Sequence, residues 1–191
     1  MDEPTHRIRN MHLRSRRSVL QLLAGSACVA ASRSVLAMPQ PAGVRSLSFL
    51  HTHTGERLEV DYFRGGRYES ASLGVINHFL RDYRSGDEHS IDPGLLDILF
   101  GLQQQIGTDV RFEVICGYRS AATNEWMHEH SSGVAEHSLH MEGRAIDIRV
   151  SGFATARLHQ LALDQQAGGV GYYARSDFIH VDTGRIRSWT G

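Results

Sequence analysis

Two short stretches hold the side chains best suited to chemistry: Ser138-Leu139-His140-Met141-Glu142-Gly143-Arg144-Ala145-Ile146-Asp147 and Asp177-Phe178-Ile179-His180-Val181-Asp182. Around Asp147 and around His180 the residues alternate apolar and polar, the period of a half-buried strand. Ile146 and Ile148 then face a core while Asp147 faces away, and Ile179 and Val181 face a core while His180 faces away. Laid side by side, such strands put Asp147 and His180 on one surface. His140, on the segment entering the first strand, completes a group of two imidazoles and a carboxylate. That group, with one coordination position open, is a recognised donor set for catalytic zinc. The metal would lower the pKa of its water to about 7 and polarise a carbonyl under attack. Asp177, three residues before His180, is placed to serve as the base for that water. Asp182 shares the His180 face and can orient the imidazole from behind.

Spacing alone leaves a plainer reading open. A histidine seven residues ahead of an aspartate arises by chance, and a strand histidine is commonly a half-buried residue without a ligand. Other positions say less. His51 and His53 alternate with threonines and read as exposed hairpin residues, while His128 and His130, two apart on a helix, point different ways. His137 adjoins the first stretch and offers a substrate contact. Tyr173 and Trp189 read as core or rim packing, with the lining of a cleft as the alternative. The run Gly168–Gly171 lacks the spacing of a phosphate loop and reads as a tight strand entry. All 20 basic residues are arginine, which excludes a P-loop lysine, a Schiff-base lysine and a Ser-Lys dyad.

The elements that position these groups follow from periodicity and punctuation. Arg45–Thr52 and Arg57–Phe63 read as a hairpin turning at His53-Thr54-Gly55. A helix capped by Ser70 or Ser72 runs to about Arg84, with Leu73, Ile76, Leu80 and Tyr83 on one face. A second has Asp92 as N-cap, Pro93 in its first turn, a Leu95–Leu96–Leu99–Leu102 stripe and Gly107 as its stop. Arg111–Cys116 reads as a strand with Phe112, Val114 and Cys116 on one face. A short helix at 123–130, an irregular loop at 131–143, a strand at 145–150 and a helix at 154–166 come next, then strands at 169–173 and 178–182. Helices early and strands late imply a single α+β domain, a mostly antiparallel sheet with helices on one side.

The chain divides into an export segment (1–37), a linker (38–44) and this domain (45–191). Arg16-Arg17 directly precedes the apolar run Val19–Ala31, and Val35-Leu36-Ala37 supplies small residues for cleavage. That is the twin-arginine export pattern, and the apolar run is too short to span a bilayer. Cys28 lacks the preceding aliphatic residue of a lipid-attachment site. Cleavage after Ala37 leaves 14 arginines against 19 acids, a formal charge of −5. That balance argues against nucleic-acid binding. It also leaves Cys116 as the only cysteine, so no disulfide can close within the domain.

The pattern Ser138-x-His140-x-x-Gly143-x-Ala145-x-Asp147, followed by an acid-x-x-His, resembles the zinc signature of the D-Ala-D-Ala metallopeptidase superfamily, which includes relatives of lysostaphin-type enzymes and of the hedgehog signalling domain. The similarity is closer to its murein endopeptidase K branch. It extends to Leu50–Glu56, Asn77–Arg84, Ile91–Leu95, Gly117-Tyr118-Arg119-Ser120, Gly168–Tyr173 and His180–Gly184. The resemblance implies a hedgehog-like fold, one Zn2+ per chain on His140, Asp147 and His180, and Asp177 as catalytic carboxylate. It implies that Arg119 holds a substrate carboxylate or the developing oxyanion, and that Ser138 lies at the substrate's amino side. Cys116 stands where relatives commonly have serine and is expected to be a small apolar filler. The implied activity is hydrolysis of peptide cross-links in peptidoglycan by a periplasmic monomer without stable membrane insertion. Two alternatives remain: a carboxypeptidase or dipeptidase on murein peptides, and a non-catalytic zinc-stabilised wall-binding domain.

Overall fold

The computed structural model describes residues 43–191, apart from Thr108, Ser132 and Gly133. The export segment and all but the end of the linker lie outside the described residues. In chain order the elements are β1 (Val44–His51), β2 (Arg57–Arg64), β3 (Arg67–Tyr68), α1 (Ser70–Phe79), α2 (Pro93–Ile106), β4 (Phe112–Cys116) and α3 (Ala121–His130). A 3-10 turn (Leu139–Glu142) leads into β5 (Ala145–Val150), followed by α4 (Thr155–Gln165), β6 (Gly169–Tyr173), β7 (Phe178–Asp182) and β8 (Arg187–Thr190). No helix among the described residues is long and apolar enough to cross a membrane.

The strands form one sheet in the order β3-β2-β1-β4-β5-β7-β6-β8. Neighbours run antiparallel except β1 with β4 and β6 with β8. The α+β, mostly antiparallel architecture read from the sequence is therefore the architecture observed. Leu47, Phe49, Phe112, Val114, Ile146, Ile148, Val170, Ile179 and Val181 cover one sheet face and pack against α1, α2 and α4. The α2 leucines 95, 96, 99 and 102 are fully buried there, each contributing about 1.5–3 kcal/mol of transfer free energy. Three helices thus share one side. The fourth, α3, instead buries only Thr123 and Asn124, and its Met127 lines a cleft on the opposite side of the sheet.

Local chemistry shifts several boundaries. The expected α1 pattern continues to Tyr83, yet the helix ends at Phe79. The Asp82 carboxylate accepts bonds from the Arg84 amide and from the amide and hydroxyl of Ser120. A short acid that offers the backbone such partners competes with helix continuation. Tyr83 is thereby turned into the cleft rather than the core. Ser120, not a residue near 123, caps α3 by accepting from the Thr123 amide. The loop at 131–143 tightens into the 3-10 turn at its end, closed by Gly143 at φ +65°. A side chain there would collide with the Ser90 carbonyl, so glycine is required. The short edge strands β3 and β8 were not foreseen; with two and four residues they offer too little alternation to read.

Asp82 is 2% exposed and ties the turn after α1 to the start of α3. Burial opposes its charge, but hydrogen bonds from Thr123, Ser120 and Arg84 outweigh that and hold its pKa below the ordinary carboxylate value. A depressed folded pKa gives stability that is present above the unfolded value, about 4, and is lost as pH falls through the folded value. Asp82→Asn should therefore lower stability by about 1–3 kcal/mol at pH 7. The gap to wild type should shrink below pH 4, as urea midpoints at pH 7 and pH 3 would read.

Candidate metal centre

The sheet face away from the helices carries one transverse row of side chains. Cys116 of β4 pairs with Asp147 of β5, Asp147 with His180 of β7, His180 with Gly171 of β6, and Gly171 with Trp189 of β8. One step along the strands lies a second row, in which Ala145 pairs with Asp182, Asp182 with Gly169, and Gly169 with Arg187. The 3-10 turn lowers His140 onto the first row. Its register is held by the Ser138 hydroxyl, which accepts from the His140 amide, and by the His140 carbonyl, which accepts from the Arg119 amide.

His140, Asp147 and His180 converge. His140 Nε2 lies 3.2 Å from His180 Nδ1 and 3.3 Å from Asp147 Oδ1, and His180 Nδ1 lies 3.0 Å from the same oxygen. Donors on a tetrahedral ion at about 2.0–2.2 Å would be about 3.3–3.6 Å apart, so the spacing suits a shared cation after a small expansion. The ring tautomers follow from the outer partners. His140 Nδ1 is 2.7 Å from the Gly117 carbonyl, which only accepts, so Nδ1 keeps its hydrogen and Nε2 is the nitrogen that presents a lone pair once a cation replaces its proton. His180 Nε2 is 3.0 Å from Asp182 Oδ2. Despite burial, bonds from His180, Arg187 and the Gly184 amide hold the Asp182 pKa well below the usual range, so it too only accepts. His180 Nδ1 therefore also faces inward with a lone pair. A carbonyl or carboxylate behind each imidazole is the usual backing of a metal-bound histidine. The geometry thus puts Asp182 behind His180, with Arg187 Nη2 donating to the same Oδ2 at 2.7 Å and Nη1 to Oδ1 at 2.9 Å.

The cluster favours positive charge at its centre. Burial disfavours a charged His140, yet the Asp147 carboxylate and then the Cys116 thiol raise its pKa to about 10. Burial works against ionised Asp147 as well, but His140 and His180 hold its carboxyl far below the usual range.

Cys116 departs from the expectation. The register shifts between Val114 and Cys116, a bulge that puts Cys116 opposite Asp147 instead of beneath Val114 with the core. Its thiol, an imidazole nitrogen of His140 and a carboxylate oxygen of Asp147 all lie within 4.8 Å of one another. Sequence alternation gives no sign of a bulge, so the apolar-filler reading fails. Its pKa is lowered; burial opposes this, and the charge of His140 outweighs it.

The row floors a cleft of about 880 Å3. Arg119, 7% exposed, lines it: Nη1 donates to Asn124 Oδ1, Nη2 lies 3.6 Å from Cys116 Sγ, and Nε has no partner. Ser138 and His137 line it near His140. Tyr173 and Trp189 are wall residues instead of core packing. The Trp189 ring lies 5.1 Å from that of His180, and a side chain on Gly171 would meet it at 2.6 Å. At the far rim His53 stacks on Tyr83 at 4.0 Å, with Arg84 over the same ring. His51 corrects its reading: it is 1% exposed, packed edge-on against Phe79 and Tyr83, and burial lowers its pKa. A larger groove of about 1290 Å3 between the β1–β2 hairpin and the end of α2 holds no imidazole or thiol.

Asp177 does not join the cluster. It sits in the turn between β6 and β7 at φ +52°, and its carboxylate accepts a hydrogen bond from Thr155 in the first turn of α4. Its neighbours Ser176 and Phe178 line the cleft, while Asp177 is not among the lining residues. The expectation that Asp177 stands beside the cluster thus fails, because its left-handed backbone aims the side chain toward the helix layer.

The family model described as Peptidoglycan L,D-endopeptidase MepK matches residues 40–189. A peptidoglycan L,D-endopeptidase MepK of Escherichia coli (strain K12) is 44% identical over 156 residues, covering 82% of this chain and 84% of that protein. A probable peptidoglycan L,D-endopeptidase MepK of Haemophilus influenzae is 41% identical over 159 residues, covering 83% of this chain and 86% of that protein. No solved structure matches the chain. With the match spanning every described element from β1 to β7, and a floor of convergent imidazoles and carboxylate beneath its cleft, this chain belongs to the MepK family of cell-wall peptidases.

Proposed function

We propose that the chain is a zinc-dependent peptidoglycan endopeptidase that hydrolyses an L,D peptide cross-link in the periplasm. The observation that carries this is the convergence of two inward lone pairs, on His140 Nε2 and His180 Nδ1, with Asp147 Oδ1 at 3.0–3.3 Å. Three nitrogen and oxygen donors with space in front of them suit a catalytic zinc better than a structural one, whose four positions are closed. When bound, zinc supplies a nucleophilic water at neutral pH and polarises the carbonyl. The L,D class is taken from the relatives' names; periplasmic location from the leader pattern and the wall substrate those names state. We extend the reading to one ion per chain, a monomer, and the D-Ala-D-Ala-peptidase and hedgehog type of fold.

The protein's own groups do the rest. Asp182, fixed by Arg187 and by the Gly169 and Gly184 amides, keeps His180 oriented and its Nε2 protonated. Gly117 does the same for His140. Arg119, with an unpartnered buried Nε at the cleft, binds a substrate carboxylate or the developing oxyanion. Ser138, whose hydroxyl can still donate, contacts the amino side of the scissile bond. Among the described cleft-lining residues Asp147 is the only aspartate or glutamate, and its oxygen is engaged by both imidazoles. Asp177 is therefore our candidate for the proton-accepting carboxylate. It lies between two cleft-lining residues and would exchange its Thr155 bond for the attacking water once substrate fills the cleft; catalytic hydrogen bonds often tighten only in that complex.

His180→Ala should abolish stoichiometric zinc in purified protein, measured by elemental analysis, and with it the conversion of cross-linked muropeptide dimers to monomers. Trimming of free termini without dimer cleavage would favour a carboxypeptidase. Full zinc with no hydrolysis of either would favour a wall-binding domain. Asp177→Asn should keep its zinc and lose about 100-fold or more in turnover. Wild-type turnover in that variant would reduce Asp177 to an anchor for α4.

A further inference from the structure

The bulge in β4 puts a thiol where the metal reading has no use for one. With regular alternation Cys116 would sit with Phe112 and Val114 against the helices; instead it begins the row Cys116–Asp147–His180. Its sulfur has no strong competing partner, only the Gly117 carbonyl and Arg119 Nη2, each at 3.6 Å. Arg119 is itself nine-tenths buried, has a free Nε at the cleft, and directs its positive charge at the sulfur. Cys116 lines the same cleft, so an ion arriving at His140 and Asp147 meets the thiol as well.

We propose that the Cys116 thiolate is a fourth protein donor to the divalent cation held by His140, Asp147 and His180, giving a Cys-His-Asp-His centre that prefers thiophilic ions such as zinc and cobalt. This rests on the metal reading above. The sulfur, imidazole nitrogen and carboxylate oxygen already lie within 4.8 Å of one another. On a tetrahedral ion, with bonds of about 2.3 Å to sulfur and about 2.1 Å to nitrogen, the sulfur–nitrogen separation is about 3.6 Å. Drawing the thiol in by about 1 Å closes the set. The S–H proton passes to solvent, the sulfur lone pair forms the bond to the ion, and no electrons are transferred. Four protein donors fill a tetrahedron, so substrate and water gain access only as the sulfur withdraws or the ion accepts a fifth ligand. Cys116 therefore sets the metal preference of this chain, and the open position that catalysis needs is the one its sulfur vacates or a fifth ligand adds.

The test is cobalt substitution of the full-length protein, read by absorption. Wild type and Cys28→Ser should both show visible d–d bands together with a near-ultraviolet thiolate-to-cobalt charge-transfer band. Cys116→Ser should keep the d–d bands and lose the charge-transfer band. The wild-type spectrum decides the matter by itself, whether or not the variant folds. Visible d–d bands without the charge-transfer band would overturn the thiolate donor and leave the three-donor site standing. Absence of both from wild type would overturn the metal reading and this inference together.

Discussion

Three electron-rich atoms aimed at one buried point are mutually repulsive unless something positive lies between them. His140 Nε2, His180 Nδ1 and Asp147 Oδ1 are in that situation, each held there from behind. Gly117 and Asp182 pin the hydrogens on the outer nitrogens, so neither ring can relieve the crowding by exchanging tautomers. Among the described residues the Asp147 oxygen has only those two imidazoles as partners, and a buried carboxylate deprived of such partners costs several kcal/mol. The cluster therefore favours positive charge at this point, as the raised proton affinity of His140 expresses.

The sheet makes the commitment affordable. Residues 116, 147, 171, 180 and 189 are scattered along the sequence, yet strand register brings them into one row, and side-chain positions in a hydrogen-bonded sheet are fixed by neighbours on both sides. The same strands bury Ile146, Ile148, Ile179 and Val181 on their other face. A one-residue slip would move donors into the core and isoleucines into the cleft. Hydrophobic burial thus enforces the register that aligns the donors. Glycines finish the work: Gly171 leaves the space into which Trp189 leans over His180.

What could be read in advance follows the same logic. Alternation around Asp147 and His180 was visible because burial on one face imposes it, and their direct pairing in β5 and β7 is the consequence. The α2 helix was legible from its cap, proline and leucine stripe. The bulge at Cys116, the left-handed turn at Asp177 and the early end of α1 were not. Each depends on a partner remote in sequence or on a backbone state that a polar residue tolerates without demanding. His51 looked exposed among its threonines because its burial comes from Phe79 and Tyr83, which no local pattern announces.

The groups at the cleft divide by how they are held. The cluster residues Cys116, Asp147 and His180 project from sheet strands, and His140 is clamped onto them by the 3-10 turn. The groups proposed to handle protons and substrate are placed differently. Asp177 sits in a hairpin turn, Ser138 at the mouth of the 3-10 turn, and Arg119 between β4 and α3 on a support built by Asp82. Rigid elements suit an ion that demands fixed distances, whereas loops suit contacts that must re-form around each substrate. On the proposed reading, changes at Asp177, whose carboxylate touches none of His140, Asp147 and His180, should alter turnover while leaving an ion in place, because strand pairing and core burial on the far face of the same sheet hold Asp147 and His180 in register.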